Sequence, residues 1–407
     1  MRISTGMLFD RSIQSVLENQ GDLSNLQQQL ASGKKLLRPS DDPVGAAQVI
    51  RLTEEIDLIN QYKKNNTLLS NSLEQEEAIM RNTNDSINRA RVLMIQAGNG
   101  ILNEDDRKAI SIEIGQIRDQ VFDQMNSRNA NGEYIFAGYQ SASPAFVLNQ
   151  SAVGNKYSFQ GDEGLNELQL SDSLTLAMNN SGKTVFEDVL ARLTSSISSS
   201  AGVTSASLNI DQQGAFDKFH KANYDAVTPA NNEFQLSIIS ATQVQVSNVG
   251  TGAVVDTVDF SSGVPFAFKG LQFNVEGGVG DTVNFQLAQP EKKNIAETLN
   301  DFFLALTDAN IPAGDYEDAI SDALVGIDNG LVALGNSIST IGGRLNVAQS
   351  VLESNLDLEI ANKTARSSIE DVDYAEAVSE LSKQETALQA AQATFSRVTG
   401  VSLFDFI

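Results

Sequence analysis

The side chains best suited to acid–base or nucleophilic chemistry are few in this sequence. It has one histidine, His220, and no cysteine among 407 residues. A Ser–His–Asp triad could use His220, but no nucleophile-elbow sequence and no evident second partner accompany it. We therefore interpret His220 as a polar surface residue. The composition excludes zinc fingers, iron–sulfur sites, cysteine nucleophiles and disulfide scaffolds.

Two acidic clusters and one glycine-rich segment have the composition of ligand sites but not the spacing. The cluster at 301–322 lacks the alternating oxygen ligands of a calcium loop. The cluster at 370–376 is typical of a helix start, where acidic side chains favour the helix dipole. Residues 277–280 precede a predicted strand and lack the Lys-Ser/Thr ending of a phosphate loop. The sequence therefore predicts no catalytic residue, no metal and no cofactor.

The charge balance excludes two classes of partner. The chain has 28 basic and 52 acidic residues, a net charge of −24. A field of this sign repels phosphate backbones and anionic lipid, so we expect neither nucleic acid nor a membrane surface as a partner. No apolar run approaches the ~18 residues of a membrane-spanning helix, and no apolar segment of a secretory signal follows Arg2.

Rows of apolar residues at seven-residue spacing predict the helices. Such a strict repeat indicates a left-handed supercoil with a partner helix. The row that starts at Leu52 has one polar member, Asn66, which is expected to set register at a cost in stability. Asp42 as N-cap and Pro43 as first residue predict the start of this helix, and the glycines at 98 and 100 its end. The helical-core stripe comprises Leu52, Ile59, Leu73, Met80, Ile87, Met94, Ile338, Leu345 and Leu352.

Thinner rows lie close to the two chain ends. They are apolar on one face only and therefore need a partner. Isolated helices this weak are marginal in water, so we expect residues 2–31 to become ordered on assembly with other subunits. We call these residues the terminal rows: Phe9, Val16, Leu23, Leu30, Leu381, Leu388 and Phe395.

The middle of the chain alternates polar and apolar residues with period two, which is typical of strands. Predicted strands are 243–247, 254–260, 271–275 and 282–287. The glycines between the last two predict a hairpin. Residues 183–200 are predicted to form a short helix that runs into a serine-rich loop.

These patterns predict an α+β fold. The N- and C-terminal segments form a long antiparallel helical bundle or coiled coil, with a β-rich domain inserted at its tip. The predicted parts are a terminal assembly segment (1–42), the first half of the helical core (43–139), the inserted variable domain (140–290), the second half of the core (291–365) and a terminal assembly helix (366–407).

Motifs at both ends resemble those of the bacterial flagellin superfamily. They are residues 1–5, 26–35, 39–47, 87–100, 342–346 and 370–377. Residues 132–139 (GEYIFAGY) and the ending 400–407 (GVSLFDFI) are similar to the branch of hook–filament junction proteins. The ending at 400–407 is unlike the basic C-terminal ending that is common in flagellin.

The resemblance implies a secreted structural protein of bacterial motility, exported through the flagellar type III apparatus and located outside the cell. Its partners would be copies of itself in a ring, hook-associated protein 1, flagellin and an export chaperone. The terminal rows would form the axial interface between subunits. Arg89 and Arg91 flank a segment that in flagellin contributes to subunit contacts, although ordinary solvated arginines explain them equally well.

Three alternatives remain open from the sequence. A minor flagellin is the nearest, and the motif at 132–139 and the ending count against it. A free coiled-coil adhesin or effector would keep the heptads without needing the terminal motifs. An enzyme within the insert is the third, but no metal-binding His/Glu constellation accompanies it.

Overall fold

The two ends of the chain are helical and its middle is rich in β-strands, as predicted. The computed structural model describes residues 5–99, 103–152 and 154–400. The helices are α1 (Thr5–Ser32), α2 (Pro43–Ala97), α3 (Glu104–Met125), α4 (Gln213–Asn223), α5 (Ile295–Thr307), α6 (Ala313–Glu370) and α7 (Tyr374–Gly400). The strands are β1 (Phe146–Leu148), β2 (Tyr157–Phe159), β3 (Glu167–Gln169), β4 (Thr175–Ala177), β5 (Ser195–Ala201), β6 (Ser205–Ile210), β7 (Glu233–Ser240), β8 (Gln243–Asn248), β9 (Val254–Asp259), β10 (Phe266–Phe268), β11 (Leu271–Glu276) and β12 (Thr282–Leu287).

Two compact units divide the chain, and each is described by itself. Unit 1 comprises Met1–Asn71, Glu167–Leu176 and Arg344–Ile407, and unit 2 comprises Ser72–Asn166 and Ala177–Gly343.

The predicted start of α2 is confirmed. Pro43 is its first residue, where its missing N–H costs no hydrogen bond. The Asp42 carboxylate accepts from the backbone N–H groups of Val44 (3.1 Å) and Gly45 (3.0 Å). It thereby satisfies two donors that have no partner within the helix.

In unit 1, α2 runs antiparallel to α6. The buried face of α2 includes Ile56, Ile59, Tyr62, Asn66 and Leu69. A hairpin of β3 and β4 lies on both helices. The side-chain amide of Asn65 donates to the carbonyl of Gln169 (2.8 Å), and that of Asn355 donates to the carbonyl of Leu170 (2.9 Å). Polar contacts thus bind this hairpin to each helix of the pair.

In unit 2, the helical part is built from α2, α3, α5 and α6. The apolar face of α3 is buried, and α3 packs against α5. The helix α5 begins after Asn294, whose side chain caps the first turn by accepting from the N–H of Ala296 (2.8 Å).

Eight strands of unit 2 enclose one phenylalanine-rich core. Five form an antiparallel sheet in the order β5-β12-β7-β8-β9, and three form a second in the order β10-β11-β6. β5 lies beside β6 at one seam, and β9 lies beside β10 at the other, where Lys269 and Asp256 form an ion pair (3.2 Å). Phe216 and Phe219 of α4 add to the same core.

The hairpin predicted between the last two strands is wrong, although all four predicted strands are present. β11 pairs with β10 and β6, whereas β12 pairs with β5 and β7. Each strand turns its apolar row into the same core, so the two are placed on facing sheets rather than side by side. The glycine-rich turn crosses from one sheet to the other.

The serine-rich segment that was predicted as a loop forms a strand instead. A short helical turn spans Lys183–Glu187, but residues 195–201 form the strand β5. Ile197 of β5 lies opposite Phe285 of β12 and packs against the core. One apolar residue and pairing with β12 therefore outweigh the low strand propensity expected of a serine run.

Candidate assembly interface

The terminal helices α1 and α7 pack against each other within unit 1. Half-buried residues recur along each helix at alternating spacings of three and four. On α1 they include Val16, Asn19, Leu23, Leu26 and Leu30; on α7 they include Leu381, Gln384, Leu388, Ala391 and Phe395. This spacing is that of the seam of a coiled coil.

The structure places the terminal rows on this seam. Val16, Leu23, Leu30, Leu381, Leu388 and Phe395 are all half-buried. Phe9 lies on α1, but its side chain is outside the described part of the chain. The second row of each helix was missed from the sequence because Asn19 and Gln384 are polar and Ala391 is small. The spacing of three or four from the first row was its one available signal.

The packing of α1 against α7 buries the side chains of the seam only in part. Of the side chains described in α1 and α7, only Ala377 is buried. Large apolar side chains also point outward, with Leu17 61% and Val378 52% exposed. Two paired helices cannot enclose a core alone, so this pair leaves apolar surface uncovered.

The helical-core stripe is buried to different degrees on its two helices. Leu73, Met80, Ile87 and Met94 are completely buried in unit 2, and Ile59 is buried in unit 1, where Leu52 is half-buried. Ile338, Leu345 and Leu352 of α6 are half-buried. The fully buried row of α6 lies three residues away, at Ile327, Leu334, Ile341 and Ala348.

Arg89 and Arg91 each form an ion pair with a neighbouring helix in unit 2. Arg89 contacts Glu113 of α3 (2.5 Å), and Arg91 contacts Asp328 of α6 (2.6 Å). Val92, half-exposed at 53%, lies next to this pair of arginines on α2. The arginines therefore have partners within the chain, beside an exposed apolar side chain.

Glu359 is a buried carboxylate of unit 1 with two cationic partners. The Nζ of Lys363, one turn further along α6, lies 2.6 Å from Oε1 of Glu359. The Nζ of Lys63 on α2 lies 2.6 Å from Oε2 of the same carboxylate. Hydrogen bonds from Lys363 and then Lys63 hold the pKa of Glu359 below its usual range. This triad ties α2 to α6 by charge.

Glu297 is a buried carboxylate of unit 2 with the opposite shift. It accepts from the backbone N–H groups of Lys156 (2.6 Å) and Tyr157 (3.2 Å). Burial nevertheless raises the pKa of Glu297, because desolvation disfavours the charged form.

His220 is buried rather than on the surface, which corrects the prediction. It is 1% exposed, its Nε2 lies 2.8 Å from the Ala288 carbonyl, and its ring stacks on Tyr224. A cavity of about 290 Å³ lies beside it, lined in part by Asp217 and Asn329. The role of His220 is therefore to pack α4 against the chain that follows β12.

A short antiparallel ribbon carries the chain into and out of the eight-stranded part of unit 2. Leu190 lies opposite Lys292 in this ribbon. Arg192, only 5% exposed, donates to Gln213 of α4 (2.8 Å) and to Asp318 (3.1 Å) and Asp322 (2.9 Å) of α6. Part of the acidic cluster at 301–322 thus binds this arginine.

Within the described residues, no group of three or more His, Cys, Asp or Glu side chains is placed to hold a metal ion. Nor does any helix there combine the length and apolar character needed to cross a membrane.

Two family models match the ends of the chain. The bacterial flagellin N-terminal helical region matches residues 3–141, and the bacterial flagellin C-terminal helical region matches residues 318–407. Together they cover more than half of the 407 residues. The chain therefore belongs to the bacterial flagellin family.

Individual relatives are similar over part of the chain. Flagellar hook-associated protein 3 of Salmonella typhimurium is 30% identical over 46% of this chain, an alignment that spans only 58% of that protein. Flagellar hook-associated protein 3 of Escherichia coli is 27% identical over 56% of this chain and 69% of that protein. The crystal structure of flagellar hook associated protein-3 from Legionella pneumophila shares the fold, with a TM-score of 0.59 at 23% identity, over 79% of this chain and 99% of its own.

Proposed function

We propose that this protein joins the flagellar hook to the filament, as a ring between hook-associated protein 1 and the first layer of flagellin. The observation that carries the proposal is the α1–α7 pair, whose seam leaves Leu381 and Leu388 half-buried. A helix pair with uncovered apolar surface suits head-to-tail stacking on unlike neighbours above and below, which is how a helical lattice continues. The names of the relatives support this placement.

The protein would act as an adaptor between two unlike polymers, the hook and the filament. The terminal helices supply apolar burial against neighbouring subunits, and charged side chains on their outer faces supply register. The partners are further copies of this chain, hook-associated protein 1 and flagellin. Export through the flagellar type III apparatus, with the help of a chaperone, delivers the chain to the outside of the cell. Without cysteine, the chain cannot form disulfides on that route.

The alternative is a minor flagellin, a subunit of the filament itself. The two flagellin regions favour it as well, since both carry the name of that protein. The two functions differ in where the subunits lie along the flagellum, so localisation separates them.

The test uses a turn of the insert. An epitope placed after Thr251, in the exposed turn between β8 and β9, would extend into open space, because a Cβ added at Gly252 would have no neighbour within 4 Å. Immunogold labelling of purified flagella is expected to mark one site, where hook meets filament. Label distributed along the filament would contradict the junction role and support the minor flagellin.

A further inference from the structure

A cavity of about 290 Å³ lies within unit 2, among three elements that are bonded to one another. α4 forms one wall, the ribbon residues Leu190 and Pro290 form a second, and Val325 and Asn329 of α6 form a third. The side-chain amide of Asn329 donates to the Leu190 carbonyl (2.7 Å), and Arg192 of the ribbon donates to side chains of both α4 and α6. These bonds hold the walls in place, so the cavity is preformed, as small-molecule sites usually are.

Opposite charges line the α4 wall of this cavity. Asp217 and Lys221 both line it and lie one helical turn apart, a spacing at which a carboxylate and an ammonium commonly pair. Within residues 5–99, 103–152 and 154–400, neither side chain forms an ion pair. The Asp217 carboxylate accepts from the side-chain amide of Gln213 (2.8 Å), which is a neutral donor. One anionic and one cationic group therefore line the cavity without compensating each other.

The rest of the lining adds an acceptor and an apolar surface. Asn329 donates its amide N–H to the ribbon, so its side-chain oxygen is available as an acceptor. Leu190, Pro290 and Val325 supply apolar surface, and Leu190 is 46% exposed, which places part of the lining at the mouth of the cavity. Small-molecule sites typically enclose about 300–1,000 Å³, so this cavity is at the lower end of the range and suits a ligand of amino-acid size.

We propose that this cavity binds a small zwitterion with an apolar side chain, of the size of a single α-amino acid. The ligand's ammonium pairs with the Asp217 carboxylate and donates to the Asn329 side-chain oxygen, while its carboxylate pairs with the Lys221 ammonium. Its side chain packs on the apolar lining. A ligand with one charge would leave the other charged side chain without a partner, which is how the site selects a zwitterion. This inference goes beyond the junction role and does not depend on it.

Three related probes test whether both charges of the ligand are needed. Isothermal titration calorimetry of the full chain with L-leucine is expected to give a dissociation constant of about 1 mM or tighter. Isoamylamine is leucine without its carboxylate, and isocaproate is leucine without its ammonium. Each should bind at least about fivefold more weakly, because it leaves one charged side chain of the cavity unpaired. Equal affinity for either analogue, or no binding of L-leucine at about 10 mM, would overturn the proposal.

Substitutions on α4 test the two charged contacts. Lys221→Met should weaken the binding of L-leucine at least about fivefold. Lys218→Met is the matched control, because it removes the same charge from an exposed position of the same helix that is not part of the lining. Asp217→Asn should weaken binding to a similar extent, while its amide oxygen can still accept from Gln213. Equal affinities for Lys221→Met and Lys218→Met would contradict the proposed carboxylate contact.

A further variant tests the apolar wall without a change of charge. Val325→Phe adds bulk to the lining and should abolish the binding of L-leucine. Val332→Phe is its control on α6, at a position that is 62% exposed and not part of the lining. Circular dichroism establishes that each variant is folded, and the exposed Lys221→Met keeps the proposal testable if Val325→Phe does not fold. Unchanged binding by a folded Val325→Phe would show that L-leucine binds elsewhere, and would overturn the proposal.

Discussion

The side-chain amide of Asn66 on α2 donates a hydrogen bond to the backbone carbonyl of Ala348 on α6, at 2.7 Å. Both residues are buried in unit 1, in rows that are otherwise largely apolar. Only one alignment of the two antiparallel helices brings this donor to that carbonyl. The sequence predicted Asn66 as a register marker, and the hydrogen bond gives the physical reason for it.

Two substitutions of Asn66 test how much its buried hydrogen bond contributes to the stability of the fold. Asn66→Leu should change the free energy of unfolding by less than about 1 kcal/mol, because the lost hydrogen bond is offset by apolar burial. Asn66→Asp places a carboxylate against the carbonyl and should destabilise by about 2 kcal/mol or more. Urea unfolding followed by circular dichroism measures both. If Asn66→Asp were as stable as Asn66→Leu, the buried hydrogen bond would be disproved.

The α1–α7 seam should be required for assembly rather than for export. Leu388→Asp places a charge on the half-buried seam, where it lacks a partner, and should unpair the terminal helices. We expect the variant in the external medium but no stable filaments on the cells. Electron microscopy and immunoblotting of the medium measure the two outcomes.

The matched control for the seam is Gln389→Asp. It adds the same charge at the adjacent, exposed position. Filaments should form normally with this variant. Normal filaments with Leu388→Asp as well would refute a role for the seam in assembly.

The Glu359 triad should stabilise the fold at neutral pH but not in acid. The pKa of Glu359 is lowered in the folded chain, so its contribution is present above the pKa of an unfolded glutamate, about 4.3. That contribution is lost as the pH falls through the lower, folded value. Glu359→Gln should therefore cost about 1 kcal/mol at neutral pH and nothing once the carboxyl is protonated. Urea unfolding across this pH range is the measurement.

The pKa of Glu297 is shifted in the opposite direction from that of Glu359, so the two substitutions should differ in their pH dependence. Burial raises its pKa, so protonation favours the folded state, and this contribution is lost as pH rises through the folded value. Glu297→Gln should therefore be least harmful at neutral pH and become more so in acid. Parallel pH profiles for Glu297→Gln and Glu359→Gln would contradict at least one of the two assignments.

Arg192 should hold the ribbon of unit 2 to α4 and α6. Its buried guanidinium has charged hydrogen bonds to Asp318 and Asp322, so Arg192→Met should cost about 2 kcal/mol in unfolding free energy. Arg81→Met is the control in the same unit, because Arg81 pairs with Glu77 on the surface of one helix. Its cost should stay below about 0.5 kcal/mol. Equal costs for the two variants would show that the ribbon does not depend on Arg192.

Features set by local pattern were predictable from the sequence. The start of α2 at Pro43 follows from a cap and a proline, and the buried residues of α3 follow from their spacing. The strands β8, β11 and β12 follow from alternating polar and apolar residues, and β9 follows from a looser form of the same pattern. In each case residues close in sequence decide the outcome.

Features set by long-range packing were not predictable. β11 and β12 are neighbours in sequence but lie in different sheets, because both apolar rows enter one core. The burial of His220 depends on a carbonyl 68 residues away. The same holds for Lys35, whose N–H donates to the carbonyl of Glu370 across the length of the chain. No local pattern encodes such pairings.

The most direct measurement of the central claim is deletion of the gene in its source bacterium, with electron microscopy of the cells and assay of flagellin in the medium. The junction role predicts hooks without filaments, with flagellin shed as monomer, and filaments restored when the gene is returned. Hooks with flagellin neither assembled nor shed would contradict it and identify this chain as the flagellin. Filaments of normal length and number in the deletion strain would contradict it as well.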